Sequence, residues 1–104
     1  MHELNIAKRI LEEASRLGAK NSLMIEVGEL CNFIPKELKE TMETLTDLKI
    51  KLKVKKSLVE CKCGYHGRAK ILLKEHDCTV YVCPKCGRKP KVIEGDEVRI
   101  LSVG

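Results

Sequence analysis

Two pairs of cysteines separated by nineteen residues restrict this chain more than any other feature. Cys61-x-Cys63 and Cys83-x-x-Cys86 are each followed directly by a glycine, Gly64 and Gly87. Two sulfurs reach one ion at about 2.3 Å only from a tight turn. A glycine behind the pair relieves that turn, and nearby backbone N–H groups can then point at the thiolates. Two such halves predict a closed tetrahedral site in which Cys61, Cys63, Cys83 and Cys86 hold a structural Zn(II). The ion would tie together a stretch with too little apolar surface to fold unaided. The one-residue spacing of Cys61 and Cys63 is tighter than the common two, so a fallback set exchanges Cys61 for Cys78. His66 and His76 read as solvated loop residues and Cys31 as a small buried hydrophobe. The "CPKC" stretch also imitates a thiol oxidoreductase, which predicts a depressed thiol pKa and disulfide turnover at Cys83 and Cys86. That chemistry wants a helix N-terminus beneath the motif, and "CGRKP" is a poor helix start.

Around the cysteines the apolar periodicity changes character. Ile6, Ile10, Ala14 and Leu17 recur at helical steps before Gly18, predicting an amphipathic helix that begins almost at residue 1. "SLMIEVGEL" reads as a buried strand ended or bent by Gly28. Pro35 opens a second helix over "KELKETMETLTDL", with Leu38, Met42, Leu45 and Leu48 as its stripe. "IKLKVKK" alternates strictly, so Ile50, Leu52 and Val54 are assigned to a core and the lysines to water. "CTVYVC" suggests one strand of a hairpin. After the turn signal Glu94-Gly95-Asp96, "DEVRILSV" suggests a last strand returning to the first sheet. The expected fold is α+β: two helices on a small three-stranded sheet, with an inserted zinc ribbon. Residues 1–57 plus 96–104 form the α/β domain and residues 58–95 the zinc-binding domain.

The same residues narrow the function. No run of about 18 apolar residues occurs and the first stretch is charged, so neither a membrane span nor a signal peptide is expected. Six cysteines, four of them paired at ligand spacing, then fit a reducing, cytoplasmic setting. No nucleophile and base pair, phosphate-binding glycine loop or open metal position is evident, so no enzyme activity is expected. The formal charge of +5 and "GRKPKV" raise an alternative, a zinc-ribbon module for RNA or ribosomes. Four zinc-bound thiolates change that charge by about −2. The chain also has only Phe33, Tyr65 and Tyr81 with which to stack bases.

The opening residues Met1-His2-Glu3 place an amine, deprotonatable amides and an imidazole within one chelating unit. The Met1 amine and His2 amide close a five-membered ring, and the His2 imidazole a six-membered one. The Glu3 amide is an alternative donor. Such a nearly planar nitrogen set suits Ni(II) or Cu(II) rather than tetrahedral zinc.

"MHE" at the start, "VGEL" near residue 30, the "CG" and "CPKCG" knuckles and a final strand after a glycine turn together resemble the HypA/HybF family of hydrogenase maturation proteins. The resemblance runs through the whole chain. It implies a nickel metallochaperone with an α/β nickel-binding domain and a four-cysteine zinc domain. Under it, His2 corresponds to the nickel ligand and Glu3 to the acidic residue beside it, with Met1 adjoining. The resemblance implies that Ni(II) is bound transiently. The implied partners are the nickel-handling GTPase of the pathway and the large subunit of a [NiFe] hydrogenase. No nucleic acid or membrane partner is expected, and the chain is expected to be a monomer or weak homodimer.

Overall fold

The computed structural model describes all residues but Met1, His76 and Asp77, together with the side chains of all described residues except His2 and Glu3. In chain order the elements are α1 (His2–Arg16), β1 (Ser22–Gly28), α2 (Pro35–Leu45), β2 (Lys49–Lys55), β3 (Leu58–Glu60), β4 (His66–Gly67), β5 (Lys70–Lys74), β6 (Thr79–Val82), β7 (Lys91–Glu94) and β8 (Val98–Val103). Among the described residues no helix is long and apolar enough to cross a membrane, which says nothing of a β-barrel.

Helix α1 buries Ala7, Ile10 and Ala14 at three- and four-residue steps. It ends as a Schellman motif: Ala19 N–H donates to Ala14 O at 3.0 Å and Gly18 N–H to Ser15 O at 3.1 Å. Gly18 adopts a φ of 87°, which glycine takes without a Cβ penalty. Leu17 lies at this exit rather than on the buried face and is 54% exposed, contrary to its place in the sequence stripe. Helix α2 begins at Pro35 and stops at Leu45, three residues short of the expected end. There the Thr46 hydroxyl accepts the Leu48 N–H at 3.3 Å, a local bond that competes with the helix.

Parallel strands β1 and β2 need a crossover, and α2 supplies it. β8 then pairs antiparallel with the other side of β1, giving the order β2-β1-β8. Leu23, Ile25, Val27 and Ile50 pack with Ala7, Ile10, Leu38 and Met42, so both helices lie on one face of this sheet. This is the two-helix, three-stranded arrangement expected. Val54 departs from it, since it is exposed despite lying in the alternation of Ile50 and Leu52.

Between β2 and β8 the chain builds a cysteine module from a second sheet, β4-β3-β7, and a β5-β6 hairpin. Its core is small: Val59 and Ala69, with Tyr65, Ile71, Tyr81 and Val92 partly buried around them. Leu30, from the segment after β1, completes that core. The molecule is accordingly long, 47 × 23 × 16 Å.

The chain passes between the two layers at a point where backbones touch. A Cβ on Gly28 would lie 2.2 Å from the Gly95 carbonyl. One on Gly95, whose φ is 102°, would lie 2.6 Å from Ser57 Cα. Gly28 N–H donates to Glu97 O at 2.9 Å and Leu30 N–H to Gly95 O at 2.8 Å, so these two glycines are required by the crossing.

Candidate metal centre

Each cysteine pair sits on a turn closed by backbone bonds. Gly64 N–H donates to Cys61 O at 3.0 Å and Gly87 N–H to Cys83 O at 2.9 Å, with φ values of 96° and 76° at the two glycines. Cys61 N–H donates to Tyr65 O, and Cys83 N–H to Arg88 O at 2.7 Å, anchoring the turns on their own loops. The two turns face one another. Cys61 Sγ lies 3.4 Å from Cys86 Sγ, and Cys63 Sγ 3.7 Å from Cys83 Sγ. All four sulfurs fall within 4.8 Å of one another. A tetrahedral ion with 2.3 Å bonds to sulfur needs sulfurs about 3.8 Å apart, so the donor set and its spacing fit zinc. Cys78, half-buried at the start of the β5-β6 return, is not in the cluster, and His66 is exposed on β4.

The electrostatics of the cluster agree with an ion. Burial opposes ionisation of Cys83, but hydrogen bonds from the Cys86 and Lys85 backbone and from the Cys63 thiol outweigh it and bring its pKa down to about 7. For Cys86 the Arg88 backbone N–H works downward, and hydrogen bonding with Cys61 and the other sulfurs pushes it up to about 11. Opposite shifts on Cys83 and Cys86 reflect thiols crowded within reach of one another; a lowered Cys83 fits a metal ligand or a redox thiol alike, and the four-sulfur geometry decides between them. Lys85 N–H points at Cys83 Sγ at 3.4 Å. No helix follows Cys83, and residues 84–86 form a turn, so the helix N-terminus on which a thioredoxin-like pair depends is missing. Tyr65 and Tyr81 pack into the core around Leu30 rather than forming an open stacking platform.

Met1 and the side chains of His2 and Glu3 lie outside the described residues. The backbone of His2 and Glu3 opens α1. The first four N–H groups of a helix have no intrahelical partner. Helix formation therefore gives the amide N–H groups of these positions no intrahelical acceptor.

A second polar centre, which sequence reasoning missed, joins the sheet to the cysteine module. Glu29 is 5% exposed. Its carboxylate accepts the Ser57 N–H at 2.6 Å and the Ser57 hydroxyl at 2.5 Å. It also accepts a fork from Arg68, Nε at 3.0 and 3.1 Å and Nη2 at 2.7 Å. Burial alone would raise the Glu29 pKa, but the Arg68 and Ser57 hydrogen bonds hold it down at about 2. Ser57 Oγ in turn accepts the Ala69 N–H at 3.1 Å. Lys74 Nζ donates to Glu29 O, Cys31 O and Thr79 Oγ1 at 2.6–3.0 Å, satisfying all three of its protons, and burial lowers its pKa. The only sequence signal for this centre was an acid set between Gly28 and Leu30, and Glu26 in the same stretch made it unexceptional.

The family model described as hydrogenase/urease nickel incorporation, metallochaperone, hypA matches residues 1–104. The chain belongs to the HypA family. Its fold is similar to the solution structure of the Ni metallochaperone HypA from Helicobacter pylori, with a TM-score of 0.59 and 20% identity over 97% of this chain and 94% of that one. No curated protein matches. HypA-family proteins are nickel metallochaperones for hydrogenase and urease maturation. The four-cysteine cluster fits the structural zinc site expected from the sequence.

Proposed function

We infer that this chain carries Ni(II) as cargo to a [NiFe] hydrogenase, with His2 as the principal ligand and the Met1 amine and Glu3 beside it. The observation that carries this reading is family membership over all 104 residues. The amide N–H groups at the start of α1 support it chemically, because they have no intrahelical acceptor. Cys61, Cys63, Cys83 and Cys86 would hold Zn(II), which supplies a cross-link between two turns and no catalysis.

Residues 1–57 plus 96–104 act as the nickel-binding unit and residues 58–95 as the zinc unit. The close backbone crossing at Gly28, Ser57 and Gly95 supports that division, with Leu30 reaching across it. The nickel-handling GTPase and the large hydrogenase subunit are the partners in this reading. The chain works in the cytoplasm as a monomer or weak homodimer.

Nickel titration of zinc-loaded protein with a free amine at Met1 tests the proposal. His2→Ala is expected to abolish specific nickel binding and its square-planar d–d absorption while zinc content and far-UV circular dichroism stay unchanged. Glu3→Gln should weaken binding without removing it. Equal nickel affinity in parent and His2→Ala would overturn the assignment.

A further inference from the structure

The face of the β2-β1-β8 sheet opposite the helices is cationic along one edge. Lys49, Lys51, Lys53 and Lys55 all point to that side, because Ile50 and Leu52, which alternate with them, pack toward the helices. Their neighbours on β1 hardly balance them. Lys49 stands beside Ser22, Lys51 beside Met24, and Lys53 beside Glu26. Lys55 has Glu94 at 3.5 Å, while among the described residues Lys49, Lys51 and Lys53 make no ion pair within 4 Å.

β2 is also an unpaired edge. Among the described residues it bonds to β1 alone. Lys49 N–H donates to Asn21 O, and Lys55 O accepts the Glu29 N–H, so the backbone groups of the lysine positions are turned toward β1. In a parallel pair, N–H and C=O of one residue point the same way and alternate along the strand. The N–H and C=O groups of Ile50, Leu52 and Val54 therefore point outward. On the helix side of this same edge, Val54 is 49% exposed. The edge thus offers backbone hydrogen-bonding groups, a row of positive charge on one side and uncovered apolar surface on the other.

We propose that β2 is a docking edge for an extended segment of a partner protein in which acidic and apolar residues alternate, added as a fourth strand. Backbone bonds to Ile50, Leu52 and Val54 give the strand its register. Its acidic residues lie beside Lys49, Lys51 and Lys53, and its apolar ones lie over Leu52 and Val54. Cross-strand pairs of opposite charge are favourable and like charges in the same place are not. A second copy of this chain pairing through β2 would set lysine against lysine, so the charge that invites an acidic strand rejects self-association. A single-stranded nucleic acid would need stacking surfaces, and Phe33, Tyr65 and Tyr81 pack elsewhere. The inference is independent of the nickel reading, since none of these residues belongs to either metal site.

The test uses the zinc-loaded full chain, labelled with ¹⁵N, and a synthetic peptide of alternating glutamate and valine. Saturable shifts and slowed amide exchange are expected at Ile50, Leu52 and Val54, with affinity falling as salt rises. Lys51→Glu with Lys53→Glu, both at exposed positions, should weaken binding about tenfold. Val54→Pro should remove binding while the spectrum of the sheet persists, because an edge strand tolerates proline where the N–H faces outward. The proposal is overturned if the glutamate–valine peptide gives no shifts on β2, or if a lysine–valine peptide binds as well. It is equally overturned if the lysine double variant binds unchanged, or if a DNA oligomer or phosphatidylglycerol vesicle occupies this edge in preference to the peptide.

Discussion

Replacing Glu29 by glutamine keeps the shape of the side chain and removes the charge on which five hydrogen bonds converge. The native pKa is about 2 against an ordinary 4.5. At about 1.36 kcal/mol per unit, that interval caps the stabilisation near 3.4 kcal/mol. Arg68 is 58% exposed, so water screens its share and about half of the cap, near 2 kcal/mol, is expected. The sign follows from a depressed native value. The contribution is complete above pH 4.5 and is lost as pH falls toward 2, where Glu29 is protonated in the folded protein as well. Urea unfolding of zinc-loaded parent and Glu29→Gln at pH 7 should therefore differ in midpoint by about 1 M. The gap should stay level down to about pH 5 and close below it. Zinc release at low pH would loosen the module that carries Arg68 and close the gap by another route, so zinc content is measured at each pH and only zinc-loaded points are compared. A cycle with Arg68→Ala should return a coupling of about 1–2 kcal/mol. A gap unchanged from pH 7 to pH 3, or a coupling below about 0.3 kcal/mol, would refute the argument that charge at Glu29 holds the two layers together.

Cys83→Ser should abolish zinc retention, measured by metal analysis, and loosen the cysteine module in circular dichroism, whereas Cys78→Ser should keep one zinc per chain. Gly95→Ala would place a Cβ 2.6 Å from Ser57 Cα at a φ of 102° and should cost about 2–4 kcal/mol in urea unfolding, with a smaller loss meaning the crossing can relax. Met42→Ala, at a fully buried position on α2, should cost about 2–5 kcal/mol without altering zinc content.

What was legible in the sequence is what depends on near neighbours. The cysteine pairs, the Pro35 start, the Gly18 stop and the alternation of β2 each show within a window of a few residues, and each element lies where those signals put it. Leu17 and Leu45 carry the right period yet are exposed, because the period says which residues share a face and not where the helix stops. Leu45 is the last residue of α2, and Leu17 follows the last residue of α1. The Glu29–Arg68 fork was illegible for a different reason. Its partners stand 39 positions apart, and nothing local distinguishes Arg68 from the solvated basic residues around it. The proposed terminal nickel ligands rest on chemistry and resemblance alone, because Met1 and the side chains of His2 and Glu3 lie outside the described residues.

The order in which the strands appear along the chain has a consequence for how the protein is made. β1 and β2 are complete by residue 55, but β8, the third strand of their sheet, is not synthesised until residues 98–103. Its partner positions on β1 must wait while the whole cysteine module leaves the ribosome. A floppy module would impose the closure entropy of a loop of roughly 40 residues on that last pairing. Zinc held by the four sulfurs would shorten that loop in effect, since Ser57 and Gly95, which flank the module, lie in contact in the folded protein. Starvation for zinc should therefore harm the half of the molecule that contains no cysteine ligand, leaving a nascent two-stranded sheet with an apolar side of β1 open to misassembly.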